Sequence, residues 1–418
     1  MSASNVVEQP HKTAAWRALP RNVWVVTITS FLTDISSEMI MNLLPLFLAN
    51  VLGVKTGIIG VIEGIAESTA SLLKIFSGWL SDKLSQRKWL TVFGYGLSAI
   101  AKPFLYFVTS WWGVLGVRFT DRVGKGIRTA PRDALIADSI APEHRGIAFG
   151  LHRAGDTAGA ACGILIALSV VLAAQSGDVT LARSTFQTVV LLSIVPAFLA
   201  VLVLALGARE ISATTQHQPP HLTLKGFDRR FHWFLLAVVL FTFGNSADAF
   251  LILRAQERGL SVAGILGMLL TFNLVYTLVS TPAGALSDRI GRRRLILGGW
   301  TVYGLLYLGF ALVADAWQIW MLYTLYGVYY AVTEGTAKAL VADLVMPEQR
   351  GTAYGVYSAA IGIMALPASI LAGVLWQGAF GWDGFGASAP FLFGALMALL
   401  AAGVFTATQK PVPAAQDH

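Results

Sequence analysis

The chain of 418 residues holds one cysteine, Cys162, and only 13% of its positions are charged. A single thiol in an apolar stretch forms no intramolecular disulfide and builds no multi-cysteine metal site, so packing is its expected role. Soluble domains carry roughly a quarter charged residues; here 55% of positions are hydrophobic and the mean hydropathy is +0.64, which excludes an ordinary soluble protein. No GxxxxGK[ST] phosphate loop is present, which argues against ATP as an energy source. No metal-ligand cluster, activated nucleophile or appended signalling domain stands out, so neither a membrane enzyme nor a sensor is expected, and no metal or cofactor. The polar N-terminus lacks a small-residue cleavage signal, which argues against a cleaved signal peptide.

What fills the chain instead is a succession of apolar runs, each near the ~20 residues that cross a bilayer as a helix. Twelve spans are read, at 23–50, 57–80, 91–109, 112–135, 146–173, 184–207, 232–254, 262–285, 295–313, 317–340, 351–376 and 386–408. The fold class is an all-α membrane protein of twelve transmembrane helices in two six-helix pseudo-symmetric bundles, 23–208 and 232–408. An N-terminal segment (1–22), a central linker (209–231) and a tail (409–418) complete the organisation. The net charge of +7 does not imply nucleic acid. Lys83, Arg87, Lys88, His144, Arg145, Arg229, Arg230, Arg289, Arg292, Arg293 and Arg294 lie in short connections on one side, as the positive-inside rule requires of cytoplasmic loops. Lys55, Arg183 and Arg258 are the exceptions. Both termini are therefore expected in the cytoplasm, with the chain in a bacterial inner membrane as a monomer whose partners are lipid and a small-molecule substrate.

The two halves repeat. GWLSDKLSQRK from Gly78 recurs as GALSDRIGRRR from Gly284, carrying Asp82 to Asp288, while LIADSIAPEHRGIAFG recurs as LVADLVMPEQRGTAYG, carrying Arg145 to Arg350. These loops resemble the signature connection of the major facilitator superfamily. The resemblance covers essentially the whole chain and implies two six-helix bundles around a central site, working by alternating access. It also implies that Gly78, Asp82, Arg87, Gly284, Asp288, Gly291 and Arg292 form gating loops that break and remake contacts; topology determination alone is the plainer alternative. The first copy departs from the pattern with Ser85 where a glycine is usual. DISSEM and DRVGKGIRTAPRDALIADS are similar to a branch of bacterial permeases near the drug:proton antiporters, whose substrates are mostly unassigned, which implies a transporter and no particular substrate. GLHRAGDTAGAACG resembles the glycine-rich fifth-span motif of antiporters but lacks its usual proline.

Charge inside the spans is the second signal. If residues 121–139 formed a loop, the fourth span would keep ten residues and cover ~15 Å of a ~30 Å hydrocarbon core. The charged stretch must therefore complete a helix. Asp121, Lys125, Arg128 and Arg132 fall within about 60° on a helical wheel, beside a stripe of Arg118, Arg122 and Asp133. A charge at the membrane centre costs at least ~2.5 kcal/mol, so these groups must face protein or water and be paired. Pro131 is expected to interrupt this helix near its end. A structural ion-pair network is the plain reading of Arg132, Asp133 and Asp138. Lys125 and Arg128, deeper, either bind an anionic group or only hold the carboxylates of Glu63, Glu67 and Asp121. The resemblance implies a fourth-span arginine four residues before a glycine, which Arg122 and Gly126 satisfy, with Arg118 as competitor.

TDISSEM places Asp34 and Glu38 on one face of the first span. Burial penalises the ionised form of a carboxylate, the chemistry a proton carrier needs. Asp248 maps onto Glu38 through the repeat, so Asp34, Glu38 and Asp248 are the proton-coupling candidates, with helix-to-helix salt bridges as the alternative. Glu63, Glu67, His152, Arg153, Asp156 and Asn245 complete the candidate substrate-binding or charge network. Glu334 and Lys338 are expected to pair, and Trp300, Tyr303, Tyr326, Tyr329 and Tyr330 form either an apolar substrate wall or plain packing. The resulting expectation is a proton-driven secondary transporter, an exporter of a small organic compound, with proton-symport uptake or organic-anion transport as alternatives.

Overall fold

The structure, a computed structural model, describes residues 19–141, 144–211, 224–346 and 349–408, without the side chains of residues 281, 284, 285, 287 and 288. The N-terminal segment up to residue 18, the linker from 212 to 223 and the tail from 409 lie outside the described residues. Twelve antiparallel spans are present among those described: α1 (Arg21–Val51), α2 (Thr56–Leu84), α3 (Arg87–Ala101), α4 (Trp111–Asp138), α5 (Arg145–Gln175), α6 (Arg183–Gly207), α7 (Arg229–Glu257), α8 (Val262–Ile290), α9 (Arg292–Leu312), α10 (Ala316–Asp343), α11 (Arg350–Gln377) and α12 (Ala389–Thr408). Residues 19 and 408 share one face of the molecule.

Eight of these helices are apolar and long enough to cross a membrane on composition alone; α2, α3, α4 and α10 are not. All four contribute polar residues to the centre of the molecule, where protein rather than lipid surrounds them. Helix α3 is also the shortest, and a 3₁₀ turn at Lys102–Tyr106 extends it. Helix α4 runs without interruption through Pro131 to Asp138, so the whole of DRVGKGIRTAPRDALIAD is helical and the expected break at Pro131 does not occur. A proline removes one backbone hydrogen bond, a loss that packing in a bundle tolerates.

The first helix of each half is broken near its middle, where the sequence reads as one continuous span. In α1 the regular helix ends at Met41, and a short turn at Leu44–Leu46 leads into a π-helical turn at Phe47–Val51. In α7 the break falls at Asn245–Asp248, between Arg229–Gly244 and Ala249–Glu257. Each break is serviced by an asparagine. Asn42 donates to the carbonyl and to the carboxylate of Glu38, both at 2.9 Å, and Asn245 accepts from the Tyr303 hydroxyl at 3.0 Å. Short polar side chains of this kind compete with the helical backbone for hydrogen bonds.

Small residues bring the helices together. A Cβ at Gly159 or Gly163 of α5 would lie 2.4 or 2.5 Å from the Phe31 or Ile35 carbonyl oxygen of α1, so the glycine repeat lets these two helices touch backbone to backbone. Across the halves, α2 packs closely on α11. The face opposite residues 19 and 408 is pinned by hydrogen bonds from the Thr56 amide to Gln377 Oε1 (2.8 Å), from Asn50 Nδ2 to Gln256 Oε1 (3.1 Å) and from the Val262 amide to the Asp178 carbonyl (2.9 Å). The halves are therefore closed together at that face.

A Cβ at Gly60 would sit 2.1 Å from the Ser369 carbonyl oxygen. Gly60→Val should wedge the halves apart there. With spin labels at Lys55→Cys and Asp383→Cys, exposed positions of that face outside these hydrogen bonds, in a Cys162→Ser background, the inter-label distance should lengthen; an unchanged distribution would show that this contact does not hold the face closed.

Candidate functional site: a charged cavity between the halves

A cavity of about 300 Å³ lies between the halves, walled by α1, α3, α4, α5 and α8. Helical periodicity sets its chemistry. Asp34 and Glu38 come from α1, Lys125, Arg128 and Arg132 from α4, Arg153 and Asp156 from α5, and Asn273 and Tyr276 from α8. A second cavity of about 330 Å³ is walled mainly by the second half, with Phe241, Trp300, Tyr329, Tyr330 and Tyr357, and it receives Lys74 from α2 and Asn245, Glu334 and Lys338.

The α4 cations separate by partner. Arg118 is fixed by Glu63 in a two-point pair, Nη2 to Oε2 at 2.5 Å and Nε to Oε1 at 3.3 Å, with both side chains buried. Arg122 reaches Glu67 at 3.6 Å and Asp121 at 3.9 Å. Arg128 donates to Ser98 Oγ at 2.6 Å and stacks over Tyr95 at 4.5 Å. Arg132 is held by Asp133 at 2.8 Å and by Ser30 Oγ at 3.2 Å. Lys125 differs: its ammonium has no hydrogen bond or ion pair among the described residues, and it is exposed in the cavity wall. The sequence reading treats Lys125 and Arg128 alike; the structure distinguishes them, because only Arg128 faces α3, where Ser98 and Tyr95 wait.

Among the carboxylates, Asp34 lines the cavity with no hydrogen bond or ion pair among the described residues, whereas Glu38 is engaged by Asn42. Asp156 lines it too and lies 3.7 Å from Nε2 of His152, a buried ring behind the wall whose nitrogens have no hydrogen-bond partner. Asp248 lies at the break of α7 and accepts from the Tyr326 hydroxyl at 3.3 Å, apart from the first cavity. Glu334 and Lys338 pair at 3.3 Å. Arg153 donates to the Tyr276 hydroxyl, stands 3.5 Å from Glu334 and so bridges the halves.

The repeated loops occupy equivalent places. Arg87 sits between Asp82 (3.1 Å) and Asp138 (2.8 Å), tying the α2–α3 connection to the end of α4, and Arg292 meets Asp343 at 2.5 Å at the end of α10. Gly78 allows α2 to approach Ala130 of α4, at 3.4 Å from a built Cβ. Ser85 takes φ +52° and Gly291 φ +89°, so both turns need a positive φ, but their ψ values of 32° and 133° make them different turns, Ser85 in the left-handed helical region and Gly291 outside it. The side chain of Asp288 and the surroundings of Gly284 lie outside those described.

Five residues escaped sequence reasoning. Lys102 is buried and donates to Ser36 and Ser37 at 3.0 and 2.9 Å; a lysine inside an apolar run was the available signal. Tyr95 and Ser98 look like ordinary span residues. Tyr276 gave no signal at all. Glu210 accepts from the backbone amides of Arg87 and Lys88 at 2.8 and 2.9 Å, clasping the start of α3 from the linker.

Two six-helix groups that close at one face around polar cavities define a membrane transporter, with the transport path between the halves. The chain matches the Major Facilitator Superfamily over residues 26–272 and 234–417, and it belongs to that superfamily. It is 35% identical over 390 residues, 92% of this chain and 94% of the other, to an uncharacterised MFS-type transporter of Methanocaldococcus jannaschii. In fold it is similar to the nucleoside transporter NupG (TM-score 0.73, 16% identity, 93% and 98% covered) and to a bacterial homologue of the human lysosomal transporter Spinster (TM-score 0.74, 15% identity, 97% and 100% covered).

Removing one partner of a buried pair strands the other charge at a cost of ~3–5 kcal/mol. Glu63→Gln should therefore lower the unfolding temperature of the purified protein sharply, while Glu67→Gln, whose side chain is 48% exposed, should change it little. Equal effects would refute this division of the network.

Proposed function

We propose that the protein is a proton-coupled secondary transporter of a small organic molecule, in the cytoplasmic membrane with both termini in the cytoplasm, driven by the proton gradient alone and acting as a monomer. The observation that carries this reading is one cavity between the two halves in which the Lys125 ammonium and the Asp34 carboxylate both lack hydrogen-bond and ion-pair partners among the described residues. A transport site must present groups that a bound molecule engages better in one orientation of the halves than in the other, and a group with no partner is free to be so engaged. Asp34, with Glu38 and Asp156 beside it, carries the proton. Asp248 supplies a second acidic position across the interface. Arg87 with Asp82 and Asp138, and Arg292 with Asp343, lock and release the face that bears the termini.

The resemblance of DISSEM and the α4 segment to permeases near the drug:proton antiporters supports export by antiport. Symport is the second reading, and Lys125 favours it when the substrate is an anion. Protonating Asp34 or Glu38 removes negative charge beside Lys125, so an anion binds more tightly with the proton present; a cation would compete with the proton and be exchanged for it.

Proteoliposomes containing a pH-sensitive dye decide both points. With naphthalene-2-sulfonate as an anionic probe and ethidium as a cationic one, an imposed pH gradient should move a probe through the wild-type protein, along with the protons for symport or against them for antiport. Asp34→Asn should abolish this gradient-driven movement and Glu38→Gln should reduce it. Unaltered pH-driven movement in both variants would remove these carboxylates from the coupling mechanism.

A further inference from the structure

The two cavities abut at a wall one pair of side chains thick. Tyr276 lines the first, Glu334 lines the second, and the Tyr276 hydroxyl donates to Glu334 Oε2 at 2.7 Å. Aromatic surface continues across the wall, for the Tyr276 and Tyr330 rings meet edge to face at 6.0 Å. Arg153 closes the same junction from the other half, held by Tyr276 and lying 3.5 Å from Glu334.

The chemistry of the two sides differs. The first cavity, around a Lys125 that has no partner among the described residues, is mainly polar, whereas the second is mainly apolar with five aromatic side chains in its wall. Along the combined route six cationic side chains stand against four carboxylates. That excess selects for negative charge. Either cavity alone sits at the lower end of the ~300–1,000 Å³ typical of ligand sites, and together they hold a molecule with a charged head and a ring.

Resting on the reading of this cavity as the transport site, in its symport form, we propose that the substrate is an aromatic organic anion lying across both cavities, its acidic group on Lys125 and Arg153 and its ring against Tyr276 and Tyr330. On binding, the acidic group takes Arg153 from Glu334. That exchange strands no charge, because Glu334 keeps Lys338 at 3.3 Å, while Lys125 gains the counter-ion it lacks. Arg153 suits the exchange: its side chain is 57% exposed and its guanidinium offers five donors in a fork that matches a carboxylate, sulfonate or phosphate. Substrate chemistry and the contact between the halves thus meet in one residue.

The test is equilibrium titration calorimetry on the purified full-length protein, without any gradient. Naphthalene-2-sulfonate should bind with a Kd at least tenfold lower than naphthalene-2-sulfonamide, which lacks the charge, than hexane-1-sulfonate, which lacks the ring, and than ethidium, which reverses the charge. Lys125→Gln should erase the preference for sulfonate over sulfonamide with sulfonamide binding unchanged, and Lys125→Arg should keep it. Tyr330→Leu should erase the preference for the naphthyl ring. Glu334→Gln should tighten sulfonate binding severalfold, since Arg153 no longer has to be taken from a competing carboxylate; a purely structural Glu334 would not produce a gain. Equal binding of sulfonate and sulfonamide, preference for ethidium, or weaker sulfonate binding in Glu334→Gln overturns the proposal. Selective sulfonate binding without proton-linked movement in proteoliposomes would overturn the proton-coupling reading alone, and proton-linked movement without that selectivity would overturn this one alone.

Discussion

The cost of removing charge from water governs this structure. Helix α4 carries Arg118, Arg122, Arg128 and Arg132 within a segment that must cross a bilayer, and an isolated cation there costs at least ~2.5 kcal/mol on insertion scales and more in simulations. The fold meets this by surrounding α4 with α2, α3 and α1. Glu63 and Glu67 arrive one helical turn apart on α2 at the spacing of Arg118 and Arg122 on α4, so the two ladders match rung for rung. Glycines at 94 and 124 let α3 and α4 come close enough for Arg128 to reach Ser98 and Tyr95. The position of three helices follows from where the charges on a fourth must be satisfied.

The two halves share a plan and differ in filling. Both keep a broken first helix and an arginine that ties the loop after the second helix to the end of the fourth, Arg87 to Asp138 and Arg292 to Asp343. In the interior the first half is charged. The second half fills the same level with stacked tyrosines, Tyr303 on Tyr307 with centroids 4.0 Å apart and Tyr326 on Tyr329 at 5.4 Å. The halves thus share their helix breaks and their loop-to-helix ion pairs, while their central walls differ. A site built between unlike walls has a charged side and an aromatic side by construction.

How much of this the sequence carries depends on the range of the interaction. The number of spans, the repeat and the completion of the fourth helix by DRVGKGIRTAPRDALIADS follow from hydropathy, length and copy number, which are local or self-referential properties. The i to i+4 pairs, Asp34 with Glu38 and Glu334 with Lys338, are equally legible. The partners of Arg128 and Arg153 are not, because Ser98, Tyr95 and Tyr276 belong to other helices whose rotation about their axes is fixed only by packing. The broken helices escaped for a related reason. Asn42 and Asn245 disrupt helix only in company, Asn42 with Glu38 and Asn245 with Tyr303, and the second of these partners lies 58 residues away. Pro131 is the converse case, a strong local signal overridden because neighbouring helices support the backbone on both sides.

The same reasoning distinguishes structure from function among residues that look alike in sequence. A charge that finds a partner inside its own half lowers the energy of every conformation equally, so it cannot favour one orientation of the halves over the other. Arg118, Arg122, Arg128 and Arg132 are of this kind, each satisfied by residues of the first half. Arg153 is not, since its partners Tyr276 and Glu334 belong to the second half and exist only while the halves stand as they do here. Lys125 and Asp34 are not either, since no hydrogen bond or ion pair among the described residues engages them and both line the cavity where a bound molecule can. Alternating access requires these two properties together: a contact that depends on the orientation of the halves, and an unsatisfied group beside it through which a bound molecule can alter that contact. In this molecule they occur along the walls of one cavity, and Arg153 is the side chain that borders both.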